Sequence, residues 1–206
     1  GLDKVKAVIC GGSSRQESVQ LGLNALSNKV KLVAVQDGAR PLITEAVIDR
    51  TIRAAHTYGA AAPAIPVKDT IKMMSPEGYI DHTPKRDMLR AAQTPQVFDI
   101  DLLKGALLKA EQDGAEVTDD CSAVERLGFK VRIVEGDERN IKVTTPMDLK
   151  IAEMLLEDDF GMIDGIINNG KRELDQDRPS VVEQLRKQPT HTPKLPSKGK
   201  DGPAFE

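Results

Sequence analysis

The sequence predicts an α/β domain built on a mostly parallel, helix-covered sheet, and three observations carry that reading. Short apolar runs at 5–10, 31–36, 60–67, 93–98 and 131–136 alternate with segments of helical periodicity. Polar clusters follow several of these runs, as happens where ligands gather at the carboxyl edge of a parallel sheet. A more polar stretch, 69–86, alternates around Ser75-Pro76-Glu77-Gly78 and reads as a separate β-hairpin.

Each element has its own reason. Residues 5–10 form an apolar run stopped by Gly11-Gly12, and the helix after them carries Val19, Leu23 and Leu26 at helical spacing. The second strand is 31–36. Thr44 stands where an N-cap is needed, before a helix that turns Val47, Ile48, Ile52 and Ala55 inward and stops near Gly59. Residues 60–67 are small and apolar enough for a buried strand despite Pro63 and Pro66. The 69–86 hairpin is too polar on both faces for the main core, so it needs another surface, and a second subunit is the simplest. Strand 93–98 precedes a helix over 101–112. Thr118 is the expected cap of the next helix, which ends at Gly128. Strand 131–136 leads to Thr145-Pro146-Met147-Asp148, with proline in the first turn and a carboxylate at the positive end of a helix reaching about Glu157.

Bulk properties narrow the class. The 206 residues suffice for one sizeable domain and an appendage. A net charge of -3 argues against a general nucleic-acid binder. No apolar run approaches the roughly 20 residues that span a bilayer, and no signal peptide opens the chain, so a soluble, cytoplasmic-type protein is expected. Cys10 and Cys121 have no metal-site spacing and read as inert buried thiols. His56, His82 and His191 are scattered and suggest no metal role. Residues 179–206 hold five of the twelve prolines and almost no core-forming residues, and with the weakly apolar 161–169 before them the whole of 158–206 is expected to be a largely disordered tail of unknown role. The opening Gly1, entering a strand-like run almost at once, looks like a cut end.

The polar clusters share one chemistry. They comprise Gly11-Gly12-Ser13-Ser14-Arg15 with Ser18, Asp37-Gly38-Ala39-Arg40, Thr94-Pro95-Gln96, and Asn140-Ile141-Lys142-Val143-Thr144. Thr118-Asp119-Asp120 adds a helix mouth whose free N–H groups would favour anions. Two arginines, a lysine, several hydroxyls and a carboxylate suit a phosphorylated substrate and a nucleotide accompanied by Mg²⁺.

In order and spacing, GGSSRQESVQLGL, VQDGARPLIT, PVKDTIK, QTPQVF, EVTDDCSAVERLG and VEGDERNIKVTTPMDL resemble the 2-C-methyl-D-erythritol 4-phosphate cytidylyltransferases over residues 5 to about 156. The resemblance implies a Rossmann-like, GT-A-like nucleotidyltransferase fold with a protruding β-hairpin dimerisation arm. It implies cytidylyl transfer from CTP to 2-C-methyl-D-erythritol 4-phosphate, releasing pyrophosphate, by in-line attack with Mg²⁺. Gly12, Ser13, Arg15, Ser18, Gly38 and Ala39 correspond to the nucleotide side. Asp37 corresponds to a catalytic residue serving the metal-bound triphosphate. Arg40 corresponds to a catalytic residue that binds the substrate phosphate and Lys142 to the catalytic lysine that supports the reacting phosphates on both the nucleotide and the substrate side, while Thr94 and Thr118 line the substrate pocket. Thr70 and Arg86, on the arm, match positions that reach the substrate phosphate of the neighbouring subunit in a homodimer.

Departures from the family pattern matter. A glycine-rich basic loop that wraps the CTP phosphates in the family has no counterpart in this sequence, so the domain at 1–157 is expected to be inactive or nearly so by itself. Ser13 stands where an acidic residue is common, and Gln36 where a histidine is. Two alternatives accompany the reading: a ribitol 5-phosphate cytidylyltransferase, against which the DGAR element speaks, and a catalytically silent nucleotidyltransferase-like module.

Overall fold

The computed structural model describes residues 4–169, with side chains described through Glu157. The predicted tail therefore lies mostly outside the described residues. The chain divides into two units, 1–159 and 160–206.

Five strands make the main sheet: β1 (Leu32–Val35), β2 (Ala60–Pro66), β5 (Arg90–Ala92), β6 (Gln96–Asp99) and β7 (Arg132–Glu135). β7 lies parallel to one edge of β2. Along the other edge β6 pairs with Ala60 and Ala61, then β5 with Ala64 to Pro66, both antiparallel. β1 pairs antiparallel to β6. Thus β1, β2 and β7 share one direction, and the expected parallel character holds for those three. Pairing follows a different rule: β6 inserts antiparallel between β1 and β2, so among the described residues the directly parallel ladder is β2–β7. Pro63 fits inside β2 because it falls where β6 pairing stops and β5 pairing starts, and its carbonyl accepts from Gln93 N at 2.8 Å.

Helices cover both faces. Alternation along β2 and β6 sends Ala60, Ala62 and Phe98 to one side, where they join Leu23 of α1 (Arg15–Asn24), Leu103 and Leu107 of α3 (Ile100–Gln112), and Ala123 and Val124 of α4 (Asp120–Arg126). Ala61 and Val97 face Ala55 of α2 (Glu45–Tyr58). Gly59 ends α2 at φ 83°, a left-handed conformation that glycine adopts without strain. α5 (Pro146–Asn169) closes the described chain. Its start is held by Asp148, which accepts from the Thr144 and Thr145 amides at 3.0 and 2.8 Å.

Several expectations need correction. Residues 5–10 form no strand, and Val8 is 91% exposed. Among the described residues no strand lies beside that run, and an extended segment without ladder partners has nothing to hold it in a sheet. Ile52 points outward, while Thr51 takes the buried place because its hydroxyl can donate to Val47 O at 2.7 Å. Thr44 occupies the N-cap of α2 but makes no capping bond. Asp119, not Thr118, caps α4, since its carboxylate reaches the Ser122 amide at 2.9 Å and Ser122 returns a bond. Cys10 is exposed. Cys121 is buried, and burial followed by Asp119 and Asp120 pushes its thiol pKa well up, which keeps it inert.

The hairpin forms as β3 (Met73–Met74) and β4 (Ile80–His82), separate from the main sheet. Gly78 at φ 88° makes its turn. Met74, Tyr79 and Ile80 are exposed by 73, 76 and 65%. Among the described residues no helix is long and apolar enough to cross a membrane.

Candidate functional site

Five segments meet in a small cleft of about 140 Å³: the start of α1, the loop after β1, the break between β5 and β6, the mouth of α4 and the strap after β7. Arg15, Asp37, Arg40, Thr94, Thr118 and Lys142 line it, together with Ala92, Gln93, Gln96 and Asp119. A wider groove of about 480 Å³ runs on from Arg15 and Asp37 past Ser18 and Gly38.

Asp37 sits at the centre. Its carboxylate receives Lys142 Nζ at 3.1 Å and Arg40 Nε at 3.4 Å. Asp37 and Arg40 are 18 and 12% exposed, so their charges are only partly screened, whereas Lys142 keeps about half of its side chain in solvent. Arg40 also donates to Asn140 O at 2.7 Å and to Ala92 O at 3.4 Å. Val143 N bonds Ala39 O at 2.8 Å, tying the strap to the DGAR loop. The Asp37 amide donates to Thr94 Oγ1 at 3.1 Å, which explains a hydroxyl at 94. Two cations share the one Asp37 carboxylate, so Arg40 and Lys142 are brought together at the cleft, which Asp119 also lines.

Across the cleft, Arg15 donates to both oxygens of Asp120, at 3.1 and 2.7 Å. Asp120 is wholly buried, and this bond is the main reason the Arg15 pKa is raised. Gln96 braces the partner. Its Oε1 accepts from the Asp120 and Cys121 amides, both at 3.1 Å, while Nε2 donates to Asp119 at 2.7 Å. The α4 mouth therefore has its first amides already occupied, contrary to the expectation of a free anion site there. Asn140, also buried, donates from Nδ2 to Thr94 O at 2.9 Å, whereas its Oδ1 has no hydrogen-bond partner. Such a group costs on the order of 1–3 kcal/mol.

The remaining expected residues divide. At the mouth of α1, Gly12 N donates to Ser18 Oγ at 3.0 Å, and Ser13 donates to Glu17 from its amide and hydroxyl at 2.6 and 2.7 Å. Those two bonds hold the Glu17 carboxyl below its usual range. No neighbour stands within 4 Å of where a Gly38 Cβ would lie, so the chain's own packing does not demand glycine there. Thr70 and Arg86 lie on the arm and do not line the cleft, and Arg86 donates to Lys68 O at 3.0 Å. Sequence reasoning placed Gln96, Asp120 and Asn140 in the polar clusters without giving them a role of their own, and it missed Gln93. The usable signal was two glutamines in an otherwise apolar strand segment, since buried amides require partners.

Among the described residues no group of three or more His, Cys, Asp or Glu could hold a metal ion. Among the described carboxylates of the cleft, Asp37 is held by the side chains of Lys142 and Arg40, whereas Asp119 and Asp120 are engaged by Gln96, Ser122 and Arg15. A single carboxylate fits Mg²⁺ only as part of a metal–nucleotide complex, in which phosphates and water supply the other ligands.

The family model described as "IspD: 2-C-methyl-D-erythritol 4-phosphate cytidylyltransferase" matches residues 2–158, and "Domain of unknown function (DUF4316)" matches 148–186. The 2-C-methyl-D-erythritol 4-phosphate cytidylyltransferase of Caldanaerobacter subterraneus subsp. tengcongensis is 49% identical over 149 residues, 72% of this chain and 66% of that protein. That of Desulforamulus reducens is 46% identical over 156 residues, 76% of this chain and 67% of that protein. The crystal structure of the Thermus thermophilus enzyme of the same name superposes with a TM-score of 0.66 at 40% identity, covering 72% of each chain. The 4-diphosphocytidyl-2C-methyl-D-erythritol synthase of Anaerococcus prevotii gives 0.68 at 36% identity, covering 71% of this chain and 68% of that one. The chain thus spans about two thirds of the length of the curated relatives it matches.

Proposed function

This chain belongs to the 2-C-methyl-D-erythritol 4-phosphate cytidylyltransferase family, and from that membership we propose that its cleft serves cytidylyl transfer from CTP to 2-C-methyl-D-erythritol 4-phosphate. The supporting observation is the convergence of Arg40 and Lys142 on Asp37, opposite Arg15, at one sheet edge. In the reaction a phosphate oxygen of the sugar alcohol attacks the α-phosphorus of CTP and pyrophosphate leaves. Charge spreads over phosphoryl oxygens, so fixed cations do most of what a protein can do there.

Lys142 and Arg40 exchange part of their hold on Asp37 for phosphate oxygens. Asp37 keeps both cations oriented and offers the carboxylate for Mg²⁺ arriving with the nucleotide, which supplies charge neutralisation on the triphosphate. Arg15, fixed by Asp120, faces the nucleotide with Gly12, Ser13, Ser18, Gly38 and Ala39. Thr94 and Thr118 border the sugar phosphate. A homodimer belongs to the same reading: the exposed apolar residues of the arm support it, with Thr70 and Arg86 serving the neighbouring subunit's substrate. A cytoplasmic location, where CTP is available, completes it.

Isothermal titration calorimetry tests the assignment. The chain should bind Mg²⁺-pyrophosphate, and should bind 2-C-methyl-D-erythritol 4-phosphate more tightly than ribitol 5-phosphate. Equal affinity for the two alditol phosphates would contradict it.

A further inference from the structure

We propose that Asn140 and Gln93 are positioning residues for Arg40 and Lys142, holding the strap after β7 at the separation these two cations need. The proposal rests on the cytidylyltransferase reading of the cleft.

Four bonds close a ring through three loops. Asp37 N donates to Thr94 Oγ1 at 3.1 Å, and Asn140 Nδ2 donates to Thr94 O at 2.9 Å. Arg40 donates to Asn140 O at 2.7 Å and returns to Asp37 Oδ2 at 3.4 Å. The shortest bond that orients the guanidinium thus ends on the backbone of a residue whose own side chain is wholly buried and locked to the neighbouring loop.

Gln93 clamps the same strap from its other end. Its Oε1 accepts from Asp137 N at 3.1 Å, and Nε2 donates to Asp137 O at 2.8 Å and Asn140 O at 3.3 Å. Gly136 makes room for it, because a Cβ there would fall against Gln93 Oε1 and 3.1 Å from the Ala64 carbonyl. Two residues beyond Asn140, Lys142 extends to Asp37. Neither amide side chain carries charge, so their contribution is geometry.

An amide is required at 140. A carboxylate would turn an acceptor toward Thr94 O, and an apolar side chain would leave that carbonyl without its donor. Because Asn140 Oδ1 has no partner of its own, truncation to alanine also removes an unsatisfied acceptor, which favours a folded variant.

Two measurements on the intact chain test this. In Asn140→Ala, water exchange of the Arg40 guanidinium protons, read by nitrogen-15 NMR, should accelerate at least about tenfold while backbone amide dispersion persists. Pyrophosphate affinity should fall roughly tenfold, and by less than about twofold when Arg40→Ala is already present. Gly136→Ala, which crowds Gln93 without touching Asn140, is the second route and should move Arg40 exchange the same way. Unchanged guanidinium exchange in both variants would overturn the proposal, as would an equal affinity loss with and without Arg40. Should the parent chain bind no pyrophosphate, guanidinium exchange still decides the positioning role, while a lack of preference for 2-C-methyl-D-erythritol 4-phosphate over ribitol 5-phosphate fails the functional reading.

Discussion

Arg15 and Asp120 stand 105 residues apart in sequence and meet through two side-chain hydrogen bonds, with the Asp120 side chain wholly buried and that of Arg15 38% exposed. The asymmetry in exposure predicts an asymmetry in cost. Arg15→Ala strands a buried carboxylate and should destabilise by about 3 kcal/mol or more, whereas Asp120→Asn lets the guanidinium turn to solvent and should cost less. Urea unfolding midpoints of the two variants measure the order, and the reverse order would count against the pair as described.

Arg40 donates in three directions, to Asp37, Asn140 and Ala92. A lysine ammonium cannot reproduce that planar fork. Arg40→Lys should therefore weaken pyrophosphate binding nearly as much as Arg40→Ala does. Calorimetry that finds lysine equivalent to arginine would show that charge alone suffices.

Loss of Lys142 removes a cation whose ammonium keeps one side in solvent. In a turnover assay on a family enzyme carrying the matching change, Lys142→Met should lower kcat by roughly 10²–10³, the scale of removing one transition-state donor. A change confined to KM would instead mean that the lysine binds ground and transition states alike.

Asp148 caps α5, and its bonds from the Thr144 and Thr145 amides lower its pKa below the ordinary 3.8. A depressed carboxylate stabilises the fold above its unfolded value and loses that effect as pH falls through the folded one. Thermal unfolding of the parent and Asp148→Asn should differ at pH 6–7, and the gap should close on acidification below about 3.8. A gap independent of pH would exclude the charge as its cause.

On the arm, Met74 and Ile80 are exposed and contribute little to the fold of a single chain. Ile80→Asp should leave the stability of the single chain within about 0.5 kcal/mol of the parent's when both are compared dilute enough to be monomeric. Sedimentation should show a dimer converted to monomer. By contrast Phe98→Ala, at a fully buried position, should cost about 3–5 kcal/mol.

How much of this was legible beforehand follows the range of the forces involved. Glycine at 59, proline at 146 and the Ser75–Gly78 turn act within a few residues, so the ends of α2, the start of α5 and the hairpin could be read directly. The motif order of GGSSRQESV, DGAR, QTPQ and NIKVT likewise identified the family and brought out Arg15, Asp37, Arg40 and Lys142. Tertiary structure alone decided that β6 inserts antiparallel between β1 and β2, and that residues 5–10 join no ladder. It alone decided that Asp120 turns inward to Arg15 and that Asn140 locks onto Thr94. Those outcomes depend on which distant groups satisfy one another once buried, and local periodicity carries no record of a partner a hundred residues away.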